Sequence, residues 1–171
     1  IFKYTDDNAL KVTRFHYDQA EGMIWVGTSA DGLYLYDLTS NTLRQSPLQP
    51  FPKQPVHAIA AITDSTVMVG IDGQGMWEMT NDGQKVLNIY KEEPDNPLSL
   101  KGNGVYDIFI DKQKRVWVCT YSGGLSFFDQ ESADVTQITH QINESNSLSN
   151  NNVNKIIEDS RGNIWFATNN G

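Results

Sequence analysis

The 171-residue chain has a single cysteine, Cys119, and only three histidines, His16, His57 and His140. One thiol cannot close an internal disulfide or build a thiolate metal site. Its place in the apolar run Val116-Trp117-Val118-Cys119 predicts a buried, inert thiol. The histidines show no H-x-H or H-E-x-x-H spacing, so no metal site is expected of them. Also missing are a G-x-S-x-G nucleophile elbow and a phosphate-cradling G-x-x-x-x-G-K loop. No catalytic residue, metal or cofactor is therefore assigned. Basic residues are scarce, 13 Lys and Arg against 21 Asp and Glu, for a net charge of -8. That balance argues against a nucleic-acid backbone or an anionic membrane as the main partner. Apolar runs reach about five residues, as at 58–62, far short of the ~20 that a membrane helix needs. The chain opens on Ile1 rather than Met, as expected of a mature product or a piece of something longer.

What the chain does have is an internal repeat. Ile24-Trp25-Val26-Gly27-Thr28 is followed by Ser29-Ala30-Asp31-Gly32-Leu33-Tyr34-Leu35-Tyr36-Asp37. In the same register, Val116-Trp117-Val118-Cys119-Thr120 is followed by Tyr121-Ser122-Gly123-Gly124-Leu125-Ser126-Phe127-Phe128-Asp129. Val67-Met68-Val69-Gly70-Ile71 opens a third copy, and Ile164-Trp165-Phe166-Ala167-Thr168 a fourth. Trp25, Met68, Trp117 and Trp165 are spaced by 43, 49 and 48 residues. Upstream of each copy lies another apolar segment, at 12–17, 56–62, 105–110 and 153–157.

No segment has a helical period. Each is four to seven residues long, rich in Val, Ile, Phe, Tyr and Trp, and bounded by Gly, Asn, Asp and Pro. That pattern reads as short strands in antiparallel meanders. Three clear strands and a weaker fourth, as at 85–90 and 135–139, recur every ~45 residues, which is the repeat of a β-propeller blade. The fold expected is all-β: four-stranded antiparallel blades in a partial ring of about 3.6 blades. The blades are placed at about 5–50, 51–98, 99–148 and, incomplete, 149–171, with Ile1 to Tyr4 as the outer strand of a preceding blade. A partial ring does not close on itself and leaves apolar blade faces uncovered. The in-register residues Trp25, Met68, Trp117 and Trp165 are expected to be buried by blade-to-blade packing. Gly32, Gly75 and Gly124 are expected to permit positive φ or close strand approach.

The run Asn152-Val153-Asn154-Lys155-Ile156-Ile157-Glu158-Asp159-Ser160-Arg161-Gly162-Asn163-Ile164-Trp165-Phe166-Ala167-Thr168 resembles the two-component regulator propeller repeat. That repeat reads roughly V-x-x-I-x-E-D-x-x-G-x-I-W-[IV]-G-T, then a Gly-Gly-Leu strand and an aromatic-Asp ending. Residues 25–37 and 117–129 resemble its second half, and 90–100 and 143–150 its inter-blade loop. Departures are Met68 for Trp, a shortened turn at Asp64-Ser65, and Cys119 and Ala167 in place of Gly. The resemblance implies the extracytoplasmic sensor region of a hybrid two-component sensor histidine kinase. In that family two seven-bladed propellers and a small sandwich domain precede a membrane helix and cytoplasmic signalling domains. It further implies a periplasmic location in an inner-membrane receptor, a homodimer of the full receptor, and a response to polysaccharide-derived oligosaccharides. The kinase domains would lie outside this segment, which is itself expected not to be an enzyme.

In a propeller the loops from second to third strand share a face with the inter-blade loops. Here they carry Asn, Asp, Gln and Tyr, which suit sugar hydroxyls and ring stacking. Tyr121, Asn169, Asn170, Asp31 and Gln74 are the candidate ligand-binding residues. Carboxylates such as Asp111, Glu158 and Asp159 sit at turns, where Asp binds its own backbone. Two other readings stay open: a scaffold or interaction propeller without a small ligand, and a propeller glycosidase or lyase.

Overall fold

The computed structural model describes residues 10–129 and 135–171, so the strand expected at 1–4 lies outside the described residues. Among the described residues there are fourteen strands and no helix. The first sheet is β1 (Val12–Asp18), β2 (Met23–Thr28), β3 (Leu33–Asp37) and β4 (Thr42–Gln45). The second is β5 (Val56–Thr63), β6 (Thr66–Ile71), β7 (Gly75–Thr80) and β8 (Val86–Tyr90). The third is β9 (Val105–Ile110), β10 (Arg115–Thr120), β11 (Gly124–Asp129) and β12 (Val135–Ile138). β13 (Val153–Glu158) and β14 (Ile164–Thr168) form a two-stranded fourth sheet. Every sheet is an antiparallel meander in chain order. The fold is thus the expected all-β propeller architecture, as an open arc.

Three apolar cores lie between consecutive sheets. Trp25, Leu33 and Leu35 of the first sheet meet Val56, Ile59, Val67 and Val69 of the second. Ala58, Met68 and Met76 of the second meet Val105, Ile108 and Val116 of the third. Trp117, Cys119 and Leu125 of the third meet Val153 and Ile156 of the fourth. The approach is close because glycine sits where the next sheet's leading valine lands. A Cβ on Gly27 would be 2.8 Å from Val56 Cγ1, and one on Gly70 would be 2.6 Å from Val105 Cγ1. Gly32, Gly75 and Gly124 open the third strands at φ of 75°, 78° and 77°, a conformation that disfavours any side chain.

Turn aspartates hold the inner hairpins. Asp111 Oδ1 accepts from the Gln113 and Arg115 amides, and its Oδ2 accepts from Arg115 Nε (2.6 Å) and Trp117 Nε1 (2.8 Å). Asp159 repeats the device, accepting from Trp165 Nε1 at 3.0 Å. In the first sheet the turn is one residue longer. Asp18 caps Ala20 and Glu21, and the buried Trp25 Nε1 has no partner among the described residues. The expectation that all four in-register residues are buried fails at one. Trp25, Met68 and Trp117 are 0%, 1% and 6% exposed, but Trp165 is 59% exposed. The reason is positional: a blade's second strand is covered by the sheet that follows, and among the described residues none follows β14.

Candidate functional site

Each inner strand carries the same irregularity. The pairing of β1 with β2 skips Thr13, that of β5 with β6 skips His57, that of β9 with β10 skips Tyr106, and that of β13 with β14 skips Asn154. These are β-bulges. A bulge leaves one residue unpaired and re-aims its side chain. Four equivalent bulges turn four chemically unlike side chains toward one end of the arc, where the second-to-third-strand turns also lie.

That rim contains an aromatic run. The His57 and Tyr106 rings stack at 4.7 Å and 7°, and Tyr106 meets Tyr121 at 6.1 Å. Gly104 makes room: a Cβ there would lie 3.0 Å from Asp72 Oδ1 and 3.2 Å from Tyr121 Cβ. Burial, then the Asp72 carboxylate and Tyr121, push the Tyr106 hydroxyl above its ordinary pKa, so it stays a neutral donor and acceptor. Further round, Asn154 Nδ2 donates to Asn169 Oδ1 (2.7 Å), and the Ser122 amide donates to Asn152 Oδ1 (2.8 Å). Below the rim, the buried Asp107 accepts from Lys155 Nζ (2.9 Å) and the Ile156 amide (3.0 Å), and Arg14 of the first sheet reaches it at 3.5 Å. This cluster ties the inner strands of three sheets under the rim.

The structure therefore brings Tyr121 and Asn169 onto the rim, with Asn170 exposed beside them. Asp31 and Gln74 lie on the equivalent turns of the first and second sheets. Gln45 of β4 donates to the Asp31 carbonyl at 3.5 Å. Gln74 Oε1 takes Lys91 Nζ at 3.5 Å, and its carbonyl takes Trp77 Nε1 at 3.2 Å. His57, Tyr106 and Asn154 were missed by sequence reasoning. The available signal was their place directly after the leading valines Val56, Val105 and Val153. Among the described residues no group of three or more His, Cys, Asp or Glu is gathered to hold a metal. Cys119 is buried, and its burial, then the charge of Asp107, push the thiol pKa far up.

Stacking faces, amides and neutral hydroxyls on a rim suit a polyhydroxylated or ring-shaped ligand held without chemistry. Residues 99–122 and 147–170 match the model of the two component regulator propeller family. The chain is 29% identical over 123 residues to histidine kinase P4 of Formosa agariphila, covering 67% of this chain and 9% of that protein. Two extracellular domains described as belonging to hybrid two component systems of B. thetaiotaomicron align over 98% of this chain. They have TM-scores of 0.58 and 0.56 at 18% and 17% identity, and the chain covers 28% and 27% of them. The WD40 propeller domain of Doa1 aligns over 93% of this chain and 48% of its own, with TM-score 0.67 and 14% identity. The chain spans about a tenth of the length of the curated relative it matches.

Proposed function

We propose that this chain is a stretch of the extracytoplasmic sensor propeller of a hybrid two-component receptor, on the periplasmic side of the inner membrane. Its bulge rim contacts a polysaccharide-derived oligosaccharide. The observation that carries the ligand reading is the His57–Tyr106–Tyr121 run with the Asn154–Asn169 amide pair beside it. Aromatic faces stack on sugar rings, and amides exchange hydrogen bonds with hydroxyls. The non-catalytic reading of the segment is supported by what the rim offers: neutral donors, acceptors and ring faces. Signalling chemistry then belongs to other domains of the parent protein, and a dimer of the full receptor would couple the sensor to them.

The test is calorimetric titration of the complete sensor region with an oligosaccharide panel. Tyr106→Ala and the triple variant Tyr121→Ala, Asn169→Ala, Asn170→Ala are each expected to weaken binding by about five- to a hundredfold, the loss of ~1–3 kcal/mol of contact. Undiminished binding to both variants removes the rim from the site. Binding of a protein partner and no glycan favours the scaffold reading.

A further inference from the structure

Each of the first three sheets offers a cross-strand pair to the wedge between it and the next sheet. The pairs are Trp25 opposite Leu35, Met68 opposite Glu78, and Trp117 opposite Phe127. In the first sheet both members are fully buried. In the third, Trp117 and Phe127 stack at 4.4 Å, and Phe166 of the fourth sheet closes on Trp117 at 5.8 Å. The second sheet breaks the pattern at both positions. A thioether replaces the indole, and a carboxylate stands where its neighbours place hydrocarbon. Packing alone favours the apolar pair, because a half-buried carboxylate gives up hydration.

Beside the Met68–Glu78 pair the seam is open. A cavity of about 500 Å³ lies between the second and third sheets, lined by Met68 and Glu78 among others. That size falls within the range of small-molecule sites. On one wall Tyr90 and Phe128 stack at 5.7 Å. The Glu78 carboxylate is oriented rather than loose: Oε2 accepts from Asn88 Nδ2 (2.7 Å) and Tyr90 hydroxyl (3.1 Å). Its Oε1 has no partner among the described residues. Burial, then Glu78, push the Tyr90 hydroxyl up to about 12, so it remains a proton donor to that carboxylate. Glu93 adds a second acid to the lining; Lys91 also lines the cavity, with its Nζ on Gln74 Oε1 at 3.5 Å.

We infer that this wedge binds a small organic cation, an alkyl- or arylammonium whose charge meets Glu78 and whose apolar body lies against Met68, Tyr90 and Phe128. A positioned carboxylate beside aromatic faces is the arrangement that recognises a desolvated ammonium. The site is on the seam between two sheets, shares no residue with the His57–Tyr106–Tyr121 run, and stands whichever way the oligosaccharide titration ends.

The test uses the 171-residue chain with labelled Met and Ile methyls. The probes are 2-phenylethylamine, 3-phenylpropionate and 2-phenylethanol, which differ mainly in charge. The amine is expected to shift the Met68 and Ile89 methyls saturably in the millimolar range, and the carboxylate is not. Glu78→Gln keeps an acceptor for Tyr90 and removes the charge, and should weaken amine binding roughly ten- to a hundredfold. The pair Met68→Trp with Glu78→Leu rebuilds the first sheet's filling and should abolish binding while raising the melting temperature. No saturable shift at about 10 mM amine, an equal response to the carboxylate, or unchanged affinity in Glu78→Gln overturns the inference. If the double variant does not fold, Glu78→Gln alone decides.

Discussion

Gly70→Ala tests whether glycine at the second-strand position exists to admit the next sheet's leading valine. Gly70 has no positive φ, so any cost of the substitution is steric. The new Cβ would sit 2.6 Å from Val105 Cγ1 and 3.0 Å from Ala58 Cβ, closer than real Cβ atoms approach in the first case. Both neighbours are fully buried, leaving little room to yield. Overpacking of this kind costs about 1–3 kcal/mol. Val105→Ala alone removes buried methyl groups at ~0.8 kcal/mol each plus a cavity cost, about 2–3 kcal/mol together. If Val105 Cγ1 is the atom that clashes, the double variant loses the overpacking and part of the cavity. Its cost then falls below the sum of the singles by on the order of 1 kcal/mol. Urea unfolding followed by tryptophan fluorescence and far-ultraviolet circular dichroism reads this directly, provided the slope with denaturant is unchanged. Costs that add to within about 0.5 kcal/mol would refute the reasoning, since uncoupled sites behave that way.

Trp117→Ala should cost ~3–5 kcal/mol as a buried aromatic, whereas Trp165→Ala should shift stability by less than ~1 kcal/mol because its ring is largely exposed; thermal melts of the two variants compare them. Burial alone would raise the Asp111 carboxyl, but hydrogen bonds from Trp117 Nε1 and Arg115 outweigh it and hold the group below the usual carboxylate range. A depressed folded pKa contributes stability that is present above the unfolded value of about 3.9 and lost as pH falls through the folded one, so Asp111→Asn should flatten the acid limb of a stability–pH curve. Cys119 should not react with a disulfide reagent such as dithionitrobenzoate in the native protein and should react at once in denaturant, because burial both hides the thiol and suppresses its thiolate.

The repeat was readable because packing demands are periodic. Trp25, Met68 and Trp117 share a register since each must fill the wedge toward the next sheet. The exposure of Trp165 was not readable, because it depends on a neighbouring sheet and not on the residue. Tyr121 and Asn169 could be named from topology alone: the second-to-third-strand turns lie at the rim. Asp31 and Gln74 sit on equivalent turns, where Gln45 donates to the Asp31 backbone carbonyl and Lys91 to the Gln74 side chain, contacts that depend on the neighbouring strands. A bulge is a property of backbone pairing and leaves no mark in hydrophobic period, so Thr13, His57, Tyr106 and Asn154 differ in chemistry and are linked in sequence only by following Val12, Val56, Val105 and Val153. Glu78 is similar: Met68 stands out as a departure, but its carboxylate partner is identified only once the cross-strand register is known. These blind spots have a common cause. Positions that face a neighbouring sheet are held to one apolar chemistry, which is what makes the repeat detectable. Bulge residues stand outside the three apolar cores, Thr13 meeting the next sheet through its hydroxyl on the Val56 carbonyl and His57 through its ring on Tyr106, and so are free to differ from blade to blade. A ring assembled from such blades carries the same scaffold with a different side chain at each rim position. Variation there changes the chemistry that the rim presents, and variation in a wedge pair changes how the seam is filled.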